Sequence, residues 1–246
     1  MKIKNLLLFL VSITFVSCVF TEELYIKKDG SGSYAFKMDM SKMLVAMNDM
    51  GSENDSIKKE PEKIDSILYF KDILEDKKDS IAKLSKEEQE VLKSLEDLKI
   101  HLKMDEEKNQ MNMDFLYEFN NVNELKNMND RVQKAQAMSD KKQQKNNFQT
   151  NTDVEYEYRD DTFTRKVTLK KLSKEAQEEY ENNMKQASSM FDETLYRIVY
   201  HFDDKIKSVS IEGATLSDDK KTLTIEMPMD TVMKNPFLLN FEVKLK

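Results

Sequence analysis

Residues 18–40 read CVFTEELYIKKDGSGSYAFKMDM. Glu22, Leu24 and Ile26 alternate with Tyr25 and Lys27. After Asp29-Gly30-Ser31-Gly32, the residues Tyr34, Phe36 and Met38 alternate with Lys37 and Asp39. A period of two places one set of side chains on one face of a strand. Between the two runs, Gly accepts positive φ and Asp bonds to its own backbone. The stretch therefore predicts a β-hairpin with a Gly-rich loop.

The same pattern recurs along the chain. Leu98, Ile100, Leu102 and Met104 alternate with Lys99, His101 and Lys103; Met111 through Phe119 alternate with Asn112, Asp114 and Glu118. These runs predict a second hairpin across residues 106–110. Val154 to Tyr158 and Phe163 to Leu169 flank Arg159-Asp160-Asp161 as a third. Leu195 to Phe202 is apolar on both faces, which fits a central strand. Ile206 to Ile211, Thr222 to Met227 and Phe237 to Leu245 bring the number of expected strands to ten.

Helical spacing interleaves with the strands. Met40, Met43, Met47 and Met50 mark residues 41–50. Ile64, Ile67, Leu68, Leu74 and Ile81 form a stripe over residues 62–78 and beyond. Ser85 with Glu88 is a capping box, followed by Val91, Leu92 and Leu95. Residues 122–138 form a weaker amphipathic helix. Ser173 caps the last, lined by Ala176, Tyr180, Met184, Ala187 and Phe191. One-sided sheets and striped helices predict an α+β fold, mainly antiparallel, with the helices packed on the sheet. The polar stretches 51–61 and 139–152 are expected loops, and neither separates two domains, so residues 18–246 are expected to form one domain.

The first 18 residues carry an address. Lys2 and Lys4 precede an apolar run from Leu6 to Val16, which is shorter than the roughly 20 residues that span a bilayer. It reads as a cleaved signal peptide over residues 1–17. Phe15-Val16-Ser17-Cys18 resembles a lipobox, with Phe15 in place of the usual aliphatic residue, and makes Cys18 the expected acceptor of acyl chains such as palmitate. Cys18 is the single cysteine of the 246-residue chain, so an exported form has no disulfide. Strand-like sequence resumes near residues 20–22, so the tether reaches only about 10–13 Å. The expected location is the cell envelope, at the outer membrane, on either face.

Composition excludes several classes. Formal net charge is -7, and cleavage of residues 1–17 removes two lysines and leaves -9. Arginine occurs only at 131, 159, 165 and 197, so nucleic acid is not an expected partner. Mean hydropathy is -0.69, yet 39% of residues are hydrophobic, enough for a packed core. With four glycines, at 30, 32, 51 and 213, no phosphate loop, dinucleotide fingerprint or nucleophile elbow can be assembled. His101 alternates with lysines on a polar face. His201 has Asp203 two residues on, but zinc needs further ligands. Asp29-Gly30-Ser31-Gly32 lacks the acidic ladder of a calcium loop. Met-x-Met at 38–40, 111–113 and 227–229 allows copper(I) ligation, although strand periodicity gives the same spacing. No cofactor or metal is expected, and no catalytic motif is present; abundant carboxylates leave a hydrolase open.

The expected role is a noncatalytic envelope protein that binds a protein partner or joins an assembly, with the membrane contacted through the lipid anchor. The alternative is a lipid or other amphiphile held in an apolar groove lined by Met38, Met40, Met43, Met47, Phe115 and Phe119, because thioethers make adaptable surfaces.

Several segments in order also resemble a known group: Cys18, Glu22 to Lys27, Asp29-Gly30-Ser31-Gly32 and Met38-Asp39-Met40-Ser41-Lys42-Met43 at one end. At the other stand Lys205-Ile206-Lys207-Ser208-Val209, Ala214-x-Leu216-Ser217, Lys221-Thr222 and Asn235-Pro236-Phe237. These are similar to uncharacterised exported bacterial lipoproteins, frequent in Bacteroidetes-type bacteria and similar in outline to LppM-type lipoproteins. Where such proteins usually have Asp-Gly-Lys in a turn, this chain has Asp219-Lys220-Lys221. The resemblance covers both ends and not the middle. It implies a lipoprotein with this fold and brings no activity.

Overall fold

A computed structural model of the chain describes residues 19–42, 44–45, 61–126, 128, 131–132, 151–188 and 194–246. Cys18 and the signal segment, Met43 and Met47, and nearly all of the two expected loops lie outside the described residues.

The elements in chain order are β1 (Val19–Ile26), β2 (Gly32–Asp39), β3 (Lys63–Tyr69), α1 (Phe70–Asp76), α2 (Lys78–Ile81), α3 (Lys86–Lys93), β4 (Lys99–Asp105) and β5 (Gln110–Phe119). After a 3-10 turn at Val122–Leu125 come β6 (Thr152–Arg159), β7 (Thr162–Leu169), α4 (Lys174–Ser188), β8 (Leu195–Phe202), β9 (Ile206–Val209), β10 (Thr215–Leu216), β11 (Thr222–Pro228), α5 (Met229–Lys234), a 3-10 turn at Pro236–Leu239 and β12 (Phe241–Leu245). Eight strands form one sheet in the order β10-β11-β8-β1-β2-β5-β4-β3, and four form a second in the order β6-β7-β12-β9. Pairing is antiparallel throughout, except that β1 and β8 run parallel from Val19↔Leu195 to Ile26↔Phe202. No described helix is long and apolar enough to cross a membrane.

The three hairpins form as their turns dictate. At the first, Asp29 Oδ1 accepts from Ser31 N–H at 3.0 Å and from its hydroxyl at 2.7 Å, while Gly30 takes φ +81°. Gly32 has no room for a side chain, because a Cβ there would lie 1.8 Å from the Tyr25 carbonyl oxygen. In the third hairpin, Asp160 and Asp161 both take positive φ, the backbone that a right-twisted two-residue turn requires. The capping box of α3 is present, Ser85 accepting from Glu88 N–H and Glu88 from Ser85 N–H. Ser173 accepts from Ala176 N–H at 3.2 Å.

Four expectations change. Residues 63–69 are a strand, and helix begins only at Phe70. Ile64, Ile67 and Leu68 have helical spacing, but β3 is an edge strand with Ile64 alone half-buried, so burial imposed no alternation. Residues 236–239 are a 3-10 turn opened by Pro236, and the last strand begins at Phe241. Residues 122–125 are a 3-10 turn rather than the start of an α-helix. The strands divide into two sheets rather than one, and the second packs on the large sheet's apolar face beside buried helical residues such as Met128, since two one-sided sheets satisfy one another. Phe163 of β7 meets Tyr200 of β8 edge-on at 5.3 Å and Phe202 at 5.7 Å. Both sheets share one core, with Leu24, Ile198, Tyr200 and Leu223 from the large sheet and Phe163 and Val243 from the small one all inaccessible to solvent.

Candidate functional site

Three constellations draw the chemistry-bearing residues together. The first lies between the sheets. Glu22 follows the apolar parity of Leu24 and Ile26, so its carboxylate enters the core. Arg165 follows the parity of Phe163 and Val167 and enters from the opposite sheet. Arg165 Nη2 lies 3.0 Å from Glu22 Oε2 and Nε 3.2 Å from Oε1, both side chains being nearly inaccessible, at 3% and 2%. The Tyr156 hydroxyl donates to Oε1 at 2.8 Å and that of Tyr196 to Oε2 at 2.5 Å; Tyr200 donates to Oε1 as well. Arg165 Nη1 donates to the Leu239 carbonyl at 3.0 Å.

Burial alone would raise the Glu22 carboxyl. The Arg165 guanidinium and hydrogen bonds from Arg165, Tyr196 and Tyr200 outweigh it and hold the group below the usual carboxylate range. Burial, reinforced by the Glu22 charge, pushes Tyr156, Tyr196 and Tyr200 well up. Five donor contacts saturate one carboxylate out of reach of solvent. The arrangement joins two sheets and leaves no group free to act on a substrate.

A second constellation crosses the outer face of the large sheet. His201 Nδ1 lies 3.1 Å from Thr222 Oγ1 and Nε2 3.2 Å from Glu23 Oε1, with Tyr25 stacked on the ring at 4.0 Å. Lys37 Nζ reaches Glu23 Oε2 at 2.5 Å. Register places Lys37 opposite Asp114, and Asp114 opposite His101, whose Nε2 lies 2.8 Å from Asp65 Oδ1. Both histidines therefore sit in one polar row spanning seven strands. Burial raises Glu23 while bonds from Lys37 and His201 lower it, with a net fall. Asp114, half-buried, is raised by burial despite Lys37 and His101.

The partners of His201 are Glu23 and Thr222 rather than Asp203, which accepts from Lys28 N–H at 3.2 Å. Hydroxyl, imidazole and carboxylate here follow the order of a hydrolase triad, but Thr222 lies in a paired strand and its N–H is given to Ser217 Oγ at 3.0 Å. Lys37 shares the Glu23 carboxylate. Among the described residues, no group of three or more His, Cys, Asp or Glu has metal-binding geometry.

The third constellation is apolar. On the inner face of the large sheet, Met38 pairs with Met113, Met104 with Met111, and Phe36 with Phe115, all half-buried. The small sheet stands over β1 and β8, through Tyr156, Phe163, Arg165 and Phe241, and these side chains lie on the wing beside it. Of the groove residues expected from sequence, Met38, Met40 and Phe115 belong to this wing, Met40 N–H donating to the Met111 carbonyl at 2.8 Å. Phe119 does not. It pairs with Gly32 at the opposite end of β2 and is buried in the core.

No family model matches the chain, and no curated protein matches it. Among solved structures, the folded domain of the Mycobacterium tuberculosis protein LppM, determined by NMR, matches 93% of this chain and 89% of its own, with 4% sequence identity and a TM-score of 0.42. The likeness is one of outline, too low to transfer a property from that protein to this chain. The match is mycobacterial, and the Bacteroidetes likeness suggested by sequence finds no support in it.

Proposed function

We propose that this chain is a noncatalytic, lipid-anchored protein of the cell envelope that serves as a binding or assembly module held close to the membrane. One observation carries the reading. β1 begins at Val19, the residue after the lipobox-like Cys18, and β1 is an interior strand of the eight-stranded sheet. Acyl chains on Cys18 would thus be joined to the rigid centre of the fold, with none of the linker expected from sequence. A single acyl chain holds only marginally, and two or three make the anchor stable. Both polar constellations are spent on internal pairing, which suits a scaffold better than a catalyst. The test is photo-crosslinking of the full chain in intact cells. A recurrent protein adduct supports the module, and its absence at every labelled surface position refutes it.

A second reading is favoured by the Met/Phe wing, where Met38, Met104, Met111 and Met113 lie side by side. Such a surface suits the acyl part of a lipid or another amphiphile. Native mass spectrometry of the purified domain tests it: a stoichiometric adduct lost in Met113→Asp supports the groove, and an empty protein removes it.

A further inference from the structure

The two ends of the β-sandwich differ, and the difference bears on how the protein meets a membrane. One rim of the large sheet is set by the start of β1. Val19 pairs with Leu195, Leu195 with Pro228, and Phe20 with Met38. The opposite rim carries the Asp29–Gly32 turn and the end of β8. The small sheet is oriented by its contacts. Tyr156 reaches Glu22, three residues into β1, whereas the Tyr158 ring lies 3.6 Å from where a Cβ on Gly30 would stand. β6 therefore runs from the Val19 end to the turn end, and β7 runs back, so that Leu169, paired with Thr152, returns to the Val19 end. The 3-10 turn at Pro236–Leu239 is there too: the Leu239 carbonyl takes its bond from the same Arg165 that holds Glu22. Met229, which opens α5 just before that turn, donates its N–H to the Thr194 carbonyl at 2.8 Å, one strand away from Val19.

At this end three large apolar side chains face solvent: Leu169 at 51% exposure, Phe237 at 45% and Leu238 at 39%. β7 and the 3-10 turn are in contact, and Val167 N–H donates to Asn240 Oδ1 at 2.5 Å, so all three stand on neighbouring elements at this end. Lys170, Lys171 and Lys174 follow Leu169, and Lys234 precedes Phe237. Asp153 lies 4.0 Å from Lys170 and Asp230 3.1 Å from Lys234, so two of these four lysines have a carboxylate partner, and the exposed apolar side chains are flanked by a modest basic charge.

We propose, resting on the Cys18 anchor above, that this end is the face applied to the bilayer, with Phe237, Leu238 and Leu169 entering the lipid interface. Cys18 directly precedes Val19, a single Cα step of about 3.8 Å, so lipid at Cys18 brings this rim to the headgroups. Apolar side chains at such a surface enter about 5–10 Å into the headgroup and acyl boundary. The anchor and these apolar side chains then act as two attachments on one rigid body, and the joint attachment fixes the orientation of the domain. The polar row of Glu23, Lys37 and His201 stands across the sheet's outer face, clear of lipid.

The experiment uses full-length chain, processed in cells, in membranes. With Cys18 acylated, a cysteine introduced elsewhere is the sole thiol. Phe237→Cys, Leu238→Cys and Leu169→Cys are labelled with an environment-sensitive fluorophore, and Leu216→Cys, exposed on β10, serves as the distant control. Lipids carrying nitroxide quenchers are added to phosphatidylethanolamine/phosphatidylglycerol vesicles holding the protein. Loss of fluorescence at 237, 238 and 169 with none at 216 is the expected result. Equal quenching at all four, or none at 237 and 238 in protein that stays in the membrane pellet, overturns this orientation and leaves the anchor standing. Protein absent from the pellet with Cys18 unacylated overturns the anchor and the orientation with it.

Discussion

Glu22 decides most at the scale of single residues. It is a charged group on the apolar parity of a strand, answered by Arg165 on the apolar parity of another, 143 residues away. Both parities are visible in the sequence. That the two meet is not, because pairing between sheets is set by topology. Removing one partner of a buried pair leaves the other uncompensated, so Glu22→Gln should cost about 3–5 kcal/mol of unfolding free energy, read by urea titration. Replacing both, as Glu22→Leu with Arg165→Met, should cost clearly less than the sum of the single changes. The Glu22 carboxyl is held below its ordinary value near 4.5. Its contribution is therefore fully present above that pH and is lost as pH falls through the depressed folded value. Urea midpoints should decline on acidification below about pH 4.5, and the decline should be shallower in Glu22→Gln. Gly32→Ala should destabilise by upwards of about 3 kcal/mol, since its Cβ would meet backbone rather than a movable side chain.

Among elements, the hairpins were legible because each strand buries one face and so writes a period of two into its sequence. β3 was not legible. Ile67, Leu68 and Tyr69 are all at least 40% exposed, and an edge strand without a buried face leaves no alternation to read. Amide exchange should accordingly be fastest in β3 and slowest in β1 and β8, the interior parallel pair; equal protection would contradict this ranking. Residues 236–239 misled in the opposite sense: Phe237 and Leu239 continue the alternation of Phe241, but Pro236 after Asn235 forces a turn and leaves Phe237 outside the core. α3 shows local chemistry read correctly, its cap resting on Ser85 and Glu88. Ser85→Ala should cost about 0.5–2 kcal/mol, and the same change at Ser66 of the exposed β3 should cost less.

For the whole molecule, the sequence indicated an α+β fold but not that a four-stranded sheet would stand over β1 and β8 on the inner face of an eight-stranded one. Of the expected groove, Met38, Met40 and Phe115 share a wing, while Phe119, of the same parity on β5, is carried to the far end by strand length alone. The placement of β1 gives the proposed anchor its mechanical meaning, since a strand that starts at Val19 passes any tether at Cys18 straight into the core. Cys18→Ala should leave the fold unchanged and move the protein from the membrane pellet to the soluble fraction. The most direct measurement is the mass of the N-terminal tryptic peptide, residues 18–27, from protein isolated from membranes. The account predicts a peptide that starts at Cys18 and carries the mass of a diacylglyceryl group, with or without a further acyl chain. An N-terminus upstream of Cys18, or an unmodified Cys18 thiol in the membrane-bound protein, would contradict it.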